Sequence, residues 1–444
     1  MLSFLRKKWK EALLILCFYL LVAASSIVNL GVLGQVGFIL MLIASSLYSP
    51  RTAAIVLLAF FYLPLDGIHI PNVFIIATIV VVMFNLRYIK RNFGNKITAW
   101  ILKLYSCFFL FRLLSIVSAD NMPKYWQYIL VSFSVLVHIA VFSCLIREKK
   151  DINVILRYWG IIGALSSILG YIHFMYADVV YLRQINQIDS FYDKASIEGA
   201  VDWVRWIWVG VDPNFTGLNL LMPLAINLGF LFKKFSLFNL LLSIVTLLGI
   251  LGTYSRTSFL VSIIIIALFV LCSNAKYKFV FIAFIPISAF AISLYFPEFV
   301  DRIDTIQTAA TEGQGSGRFP LYLESIDNFC SNPIIGIGAG QTPIVSKFKL
   351  EAHNLFLQTL GENGIFGFVF LILLFVKSLK MAFSIRTKEP MFLIGLIAVL
   401  INCNTVSAFD LRTIMSFVII ISFCCATENR DVYVNSGKLK LIGK

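Results

Sequence analysis

The stretch from Lys349 to Lys380, "KLEAHNLFLQTLGENGIFGFVFLILLFVKSLK", joins a polar segment to a long apolar run. Its first half places an acid, a histidine and an asparagine within the four residues from Glu351 to Asn354. Its second half opens an acid-free run over residues 364–383, which matches the length of about 20 residues that a helix needs to cross a bilayer. The stretch therefore predicts a membrane-spanning helix directly preceded by a candidate functional segment.

The rest of the chain is equally apolar. Its 444 residues are 59% hydrophobic and only 14% charged, with a mean hydropathy of +0.88, which is far outside the range of a soluble protein of this length. We therefore expect an all-α polytopic membrane protein with roughly 12–14 transmembrane helices. The candidate spans lie near residues 12–30, 32–48, 52–66, 72–87, 97–118, 126–146, 152–175, 214–232, 236–254, 257–273, 279–296, 364–383, 391–409 and 412–427.

The formal net charge of +14 is explained by topology. Most Lys and Arg residues fall in alternate short connections, in clusters at 6–10, 87–96, 147–150, 233–234, 276–278 and 377–388. Cytoplasmic loops carry such an excess, so both termini are predicted to be cytoplasmic and no nucleic-acid partner is needed to explain the charge. The first apolar run lacks a convincing cleavage site and is interpreted as a retained helix.

The same topology divides the chain into five parts. The N-terminal helices occupy 1–175, a first large outer loop 176–213, the central helices 214–296, a second large outer loop with the candidate site 297–363, and the C-terminal helices with a cytoplasmic tail 364–444. Functional groups concentrate on loops held by a rigid scaffold. The two outer loops therefore predict an active surface on the outer face of the membrane.

Several arginines break the positive-inside pattern, and each needs a reason. They are Arg112 inside a span, Arg205 among tryptophans, Arg256 in a tight outer turn and Arg318 after a Gly/Ser run. A guanidinium matches phosphate oxygens in bidentate geometry and stays charged, so arginines around an outer cavity would suit a lipid-linked diphosphate.

Each arginine also has a plainer interpretation. Arg256 could anchor a helix end by snorkelling, and Arg205 could be an interfacial residue. Arg112 faces the bundle in either case, with a buried partner such as Asp66 or Asp120 as the alternative to a substrate contact.

His353 is one of only four histidines. A neutral imidazole could accept a proton from a sugar hydroxyl, although a lone histidine is more often a satisfied structural residue. Asn354 is predicted to cap the helix that follows, and Glu351 could orient His353 or be a solvated acid. Glu362 is costly at membrane depth and is expected to be paired, or to lie at the surface of a short re-entrant helix.

Together these residues resemble the signature region of the O-antigen polymerase and ligase superfamily. The resemblance rests on "GRFPLYLESIDNFCSNPIIGIGAGQ" and "EAHNLFLQTLGENGIFG", on the turn "TYSRTSFL", and on "VDPNFTG", which supplies the family's D-x-N segment at Asp212 and Asn214. It covers about 150 residues, from near Asp212 to Gly367. An R-x10-G pattern described for the polymerases fits Arg302, while Arg205 misses it by one position.

The resemblance implies an inverting, metal-independent glycosyltransferase with a GT-C-like helical bundle, no cofactor, and an active site at the periplasmic face of the bacterial inner membrane. Arg256 and Arg318 would hold the diphosphate of an undecaprenyl-linked glycan. His353, oriented by Glu351, would activate the acceptor hydroxyl. The remaining candidate substrate contacts are Arg112, Arg205, Asp212, Asn214, Arg302, Asn354 and Glu362.

The favoured function is polymerisation of lipid-linked repeat units into O-antigen or a related surface polysaccharide. The rival is an O-antigen ligase that transfers the glycan to lipid A core; two sizeable outer loops favour the polymerase. A polysaccharide-lipid transporter is a more distant alternative, which the lack of an internal repeat disfavours. Expected partners are the lipid-linked donor and acceptor, the bilayer, a chain-length regulator and a flippase.

Overall fold

The computed structural model describes residues 9–28, 31–59, 62, 73–92, 99–145, 149–175, 213–272 and 318–406. Within these ranges the chain is helical and contains no β-strand. The helices are α1 Trp9–Val28, α2 Gly31–Tyr48, α3 Pro50–Ala59, α4 Val73–Phe84, α5 Leu86–Asn92, α6 Ala99–Leu114, α7 Met122–Leu145, α8 Lys149–Met175, α9 Pro213–Lys233, α10 Leu237–Gly252, α11 Arg256–Cys272, α12 Phe319–Ser331, α13 Thr342–Val345, α14 Leu355–Ser384 and α15 Pro390–Asn402. A single 3₁₀ turn, Ser115–Ser118, follows α6.

These helices confirm an all-α polytopic membrane protein. Four segments of the described chain are long and apolar enough to cross a bilayer: Ala99–Ser118, Asp151–Ile172, Asn214–Lys233 and Leu355–Ser384. Each predicted span overlaps a helix where it falls on described residues, and the span at 72–87 overlaps two, α4 and α5. The spans at 279–296 and 412–427 lie outside the described residues. The span predicted at 364–383 is the second part of α14, which starts at Leu355 and has a non-helical residue at Gly364. The polar stretch ahead of the apolar run is therefore helical, as the predicted cap at Asn354 implies.

The chain divides into two compact units. The first contains Met1–Tyr48, Ile55–Val73 and Arg157–Thr305. The second contains Ser49–Ala54, Phe74–Leu156 and Ile306–Lys444. Each unit is therefore built from segments that are distant in sequence.

Helix α9 lies in the interior of the first unit, and most of its side chains are buried. It packs closely against α8 through small residues. A Cβ atom at Gly160 would lie 2.0 Å from Asn227 Oδ1, and Asn227 Nδ2 donates to the Gly160 carbonyl at 3.1 Å. Close backbone approach with interhelical hydrogen bonds is how helices associate without a hydrophobic driving force in lipid.

A proline inside α9 creates a specific need for a donor. Pro223 has no N–H, so the carbonyl of Asn219, four residues earlier, loses its helical partner. The hydroxyl of Tyr62 donates to this carbonyl at 3.0 Å, and both residues are fully buried. The Tyr62 hydroxyl in turn accepts a hydrogen bond from Trp159 Nε1. Tyr62 therefore satisfies a backbone group that Pro223 leaves unpaired.

In the second unit, α14 packs against α6, α12 and α15. Phe111 of α6 stacks on Phe366 and Phe370 of α14, with ring centroids 5.1 and 5.6 Å apart. Offset stacking of this kind adds about 0.5–1.5 kcal/mol per pair to the burial of the rings. It fixes α6 beside the part of α14 that carries Glu362.

Tyr62→Phe is expected to lower the free energy of unfolding by about 1–3 kcal/mol, because it strands a buried carbonyl. The loss should be smaller in a Pro223→Ala background, where residue 223 regains an N–H for the Asn219 carbonyl. Tyr62→Phe removes the hydrogen bond from Trp159 Nε1 in both backgrounds. The difference between the two losses of unfolding free energy therefore reports on the Asn219 carbonyl. Unfolding titrations of the purified protein in detergent measure it, and equal losses in the two backgrounds would contradict the assignment.

Candidate functional site

The candidate site in the second unit begins at the N-terminus of α14. Asn354 is the N-cap, and its side-chain oxygen accepts from the N–H groups of Phe356 and Leu357 at 3.0 and 3.1 Å. Its backbone is extended, as an N-cap requires. The predicted capping role of Asn354 is confirmed. The cap places His353 directly before the first turn of α14.

Helix α14 is sharply kinked at Gly364, whose φ of 61° and ψ of −169° are not helical. Only glycine adopts this conformation readily, and a Cβ atom there would lie 2.3 Å from the carbonyl oxygen of Ile334. The N–H of Ile365 turns away from the helix and donates to the Pro333 carbonyl at 2.8 Å. The kink therefore opens the helix to pairing with another segment.

That segment is residues 332–341, "NPIIGIGAGQ", which we call the glycine segment. Its backbone N–H groups at Ile337 and Gly338 donate to the carbonyls of Gly361 and Glu362 at 3.0 and 3.1 Å. Gly336, Gly338 and Gly340 all have positive φ. The backbone of the glycine segment therefore pairs with α14 at its kink, and the glycines allow the two backbones to approach closely.

Glu362 lies at the centre of this arrangement and is 0% exposed. One carboxylate oxygen accepts from the Gly340 N–H, and the other accepts from the Thr342 hydroxyl and the Gln358 amide, all at 2.9 Å. The expectation that Glu362 must be paired is met by these donors and by a cation. Bonds to an ionised acceptor are stronger than neutral ones, so the carboxylate binds the glycine segment to α14.

The cation is Arg112 of α6, which is 1% exposed. Its Nη2 lies 3.8 Å from Glu362 Oε2, and its Nη1 donates to Asn363 Oδ1 at 3.3 Å. Of the two acids predicted as alternatives for pairing with Arg112, Asp120 is exposed and the contacts of Arg112 are instead to Glu362 and Asn363, while Asp66 lies outside the described residues. Because Arg112 and Glu362 are buried against each other, their placement favours a structural role over a direct substrate contact.

Glu351 and His353 lie on the more accessible side of this centre, and both are half-buried. The hydroxyl of Tyr128 in α7 donates to Glu351 Oε1. His353 has a φ of 49°, a left-handed conformation that is uncommon outside glycine but enriched in histidine and asparagine. Strained backbone of this kind clusters at functional sites, where surrounding contacts must hold it in place.

The turn after α15, residues 403–405, brings Arg318 to the same region. The Leu355 N–H, two residues after His353, donates to the Cys403 carbonyl at 2.9 Å. Arg318 Nη1 donates to the Thr405 carbonyl at 3.4 Å, and the Tyr322 hydroxyl donates to the Asn404 carbonyl at 3.3 Å. The N-termini of α12 and α14 therefore meet at one three-residue turn, with a guanidinium on one and an imidazole on the other.

Two further candidates, Asn214 and Arg256, belong to the first unit. Arg256 is the first residue of α11, and Asn214 lies in the first turn of α9. A Cβ atom on Gly217 would lie 2.4 Å from Ser258 Oγ, so the N-termini of α9 and α11 are in direct contact. Asn214 and Arg256 therefore share one end of the first unit. Arg205, Asp212 and Arg302 lie outside the described residues.

Sequence reasoning missed the residues that support this site. Tyr128, Gln358 and Thr342 are not among the sequence candidates, although each contacts one of the two acids. For Thr342 and Gln358 a signal existed, since a buried acid requires donors from nearby polar residues. Within the described part of the chain, no cluster of three or more His, Cys, Asp or Glu residues could hold a metal.

Comparison with known families is informative for this region of the chain. Residues 241–372 match the family model described as O-antigen ligase. The match supports the O-antigen polymerase and ligase superfamily. It spans Arg256, Arg318, the glycine segment, His353 and the kink of α14, and it does not separate polymerase from ligase. A search among curated proteins finds no match.

The buried ion pair gives a direct stability test. Arg112→Met should lower the unfolding free energy by about 3–5 kcal/mol, because the Glu362 carboxylate is left buried without its cation. Adding Glu362→Gln should recover part of this loss, since no charge then remains uncompensated.

The matched control is the Arg51–Asp151 pair of the same unit, with a shorter N–O distance of 2.9 Å but side chains 17% and 15% exposed. Arg51→Met should cost about 1 kcal/mol, as partly solvated pairs do. Unfolding titrations in detergent compare the wild type, Arg112→Met, Glu362→Gln, the Arg112→Met/Glu362→Gln double variant and Arg51→Met. Losses that simply add for Arg112 and Glu362, or that match at Arg51 and Arg112, would show that burial does not set the strength of this pair.

Proposed function

We propose that this protein is an inner-membrane glycosyltransferase that polymerises undecaprenyl-diphosphate-linked repeat units into O-antigen or a related surface polysaccharide. The coarser role, a polymerase or ligase type of function in surface polysaccharide assembly, is supported by the match over residues 241–372. The observation that supports glycosyl transfer from a lipid diphosphate is the meeting of Arg318 and the His353 segment at the turn 403–405.

The proposed reaction needs a base for the acceptor hydroxyl on one side of the donor sugar and cations for the departing diphosphate on the other. The acceptor hydroxyl oxygen bonds to the anomeric carbon while the bond from that carbon to the diphosphate oxygen breaks. The hydroxyl proton passes to the His353 imidazole, and undecaprenyl diphosphate leaves with the electron pair. Positive charge develops on the sugar, as in other glycosyl transfers.

Negative charge develops on the departing diphosphate, and guanidinium groups suit it. Arg318 donates to a backbone carbonyl through only one of its nitrogens in the recorded contact, at 3.4 Å, and a guanidinium carries five N–H donors. Arg256 is assigned the same task in the first unit. Fixed donors at the site of developing charge contribute about 2.7–4 kcal/mol each in comparable oxyanion sites.

The rival function is ligation of the finished glycan to lipid A core. It is favoured by the description of the matched family, O-antigen ligase. Donor, diphosphate contacts and general base are common to both reactions, so only the acceptor differs. The polymerase is preferred because the sequence carries two sizeable segments between its apolar runs, 176–213 and 297–363, whereas the ligases that the chain resembles rely mainly on one.

Deletion of the gene in the source bacterium separates the candidates. Lipopolysaccharide gels should show lipid A core bearing a single repeat unit if the protein is a polymerase. Core without any repeat, together with accumulated lipid-linked polymer, would instead identify a ligase. An unchanged ladder would contradict both enzyme functions.

Complementation then tests the residues. His353→Asn is the sharpest variant, because asparagine tolerates the left-handed backbone at φ 49° but lacks a basic nitrogen. It should lower the elongation rate by about 10²–10⁴-fold, the usual contribution of a general base. Arg256→Ala and Arg318→Ala should each cost about 10²–10³-fold.

The control is Arg386→Ala, which removes an exposed arginine whose recorded hydrogen bond stays within its own turn, to the Phe383 carbonyl at 2.9 Å. It should restore a normal ladder at normal protein levels. Wild-type activity of His353→Asn would remove the general base from the proposal.

A further inference from the structure

Tyr128 of α7 connects the buried Glu362 centre to the segment that carries His353. Its side chain is 1% exposed, and its hydroxyl donates to the half-buried carboxylate of Glu351. Its ring packs against the glycine segment, where a Cβ atom on Gly340 would lie 2.6 Å from Tyr128 Cδ2. Gly340 in turn donates its N–H to Glu362. A continuous series of contacts therefore links Glu362 to Glu351 through Gly340 and the ring of Tyr128.

Two cations also approach this ring. The guanidinium carbon of Arg112 lies 5.7 Å from the ring centroid, and Lys124 Nζ lies 5.6 Å from it. Attraction between a cation and an aromatic face is about 0.5–2 kcal/mol, and stronger where water is excluded. Tyr128 is thus restrained on its ring as well as at its hydroxyl, and it presents a fixed donor to Glu351.

The segment that receives this donor needs restraint. Lys349 and His353 both have left-handed backbone, at φ 56° and 49°, and such residues persist only where neighbouring contacts over-determine them. Asn354 fixes the end of the segment at the helix cap. The Tyr128–Glu351 hydrogen bond fixes it two residues before His353.

Tyr125 provides a comparison one turn earlier on the same helix. It is 0% exposed and belongs to the same apolar cluster as Tyr128, together with Ile129 and Ala339. Its hydroxyl donates to the Leu113 carbonyl at 2.6 Å. Both tyrosines are buried, and the hydroxyl of each donates a hydrogen bond. They differ in the acceptor, which is a backbone carbonyl for Tyr125 and the Glu351 carboxylate for Tyr128.

We propose that Tyr128 is a positioning residue, which holds the Glu351 carboxylate and thereby orients the His353 imidazole toward the acceptor hydroxyl. This inference rests on the proposed function, since it assigns a role within the same site. Misplacement of a reacting group by about 1 Å can cost about 10²-fold in rate. Loss of this one hydroxyl should accordingly reduce turnover without weakening the binding of the donor diphosphate.

The test uses full-length protein in detergent, with lipid-linked repeat units extracted from the deletion strain as donor and acceptor. Tyr128→Phe keeps the ring and removes the donor, and we expect kcat to fall by about 10- to 100-fold at unchanged KM for the lipid-linked donor. Tyr125→Phe should keep kcat within about twofold of wild type. Combined with Glu351→Leu, which removes the acceptor, Tyr128→Phe should add little further loss, because both changes remove the same interaction.

Each outcome has a separate meaning. Equal kcat values for Tyr128→Phe and Tyr125→Phe, or losses that multiply in the double variant, would overturn the positioning role while leaving the proposed function intact. A wild-type protein that neither elongates the repeat units nor transfers them would overturn the proposed function, and the positioning role with it.

A second comparison covers the case in which Tyr128→Phe does not fold. Glu351→Gln retains an oxygen that can accept from Tyr128, whereas Glu351→Leu does not. The positioning role requires that Gln preserves clearly more activity than Leu at equal protein levels. Equal activities of these two variants would overturn it.

Discussion

A carboxylate buried without partners would cost several kcal/mol, and Glu362 avoids this cost only because three parts of the second unit meet around it. The glycine segment and the adjoining α13 supply the Gly340 N–H and the Thr342 hydroxyl, and α14 itself supplies Gln358. Helix α6 brings Arg112 from 250 residues earlier in the chain. The unit cannot place α6, α14 and the glycine segment independently of one another. The relative placement of these three parts around the candidate site follows from this single requirement.

The backbone at the kink is what makes such a meeting possible. In a continuous helix the carbonyl of Gly361 would accept from Ile365, and no other segment could pair with it. Because Gly364 leaves the helical conformation, that carbonyl accepts from Ile337, while Ile365 donates to Pro333.

The glycine segment is also fixed on its other side, where the amide of Gln341 exchanges two hydrogen bonds with the backbone of Asn121. A segment held on both sides can support functional side chains with the precision that a mobile loop lacks.

Those parts of the fold that depend on local physics could be predicted from the sequence. Helix positions follow from runs of apolar residues, and the cap at Asn354 follows from one residue type at a helix start. The need for a partner at Glu362 followed from the cost of a buried acid, but the partner itself did not, because Arg112 is distant in sequence and nothing local links the two. Tyr128 was missed for another reason: a tyrosine within an apolar run cannot be distinguished from the other residues of a membrane span by its type alone. Its importance depends on Glu351, which only the fold brings to it.

The two acids near His353 differ in what their surroundings leave available. A carboxylate has about four acceptor positions, and Glu362 uses three of them for hydrogen bonds while also facing the buried Arg112. It has little capacity to take part in proton transfer. Glu351 is half-buried and has one recorded hydrogen bond, from Tyr128. Its remaining acceptor positions can serve the imidazole two residues away. Environment thus separates a carboxylate that holds the structure together from one that is able to support a general base, which is why the proposed mechanism assigns the second task to Glu351.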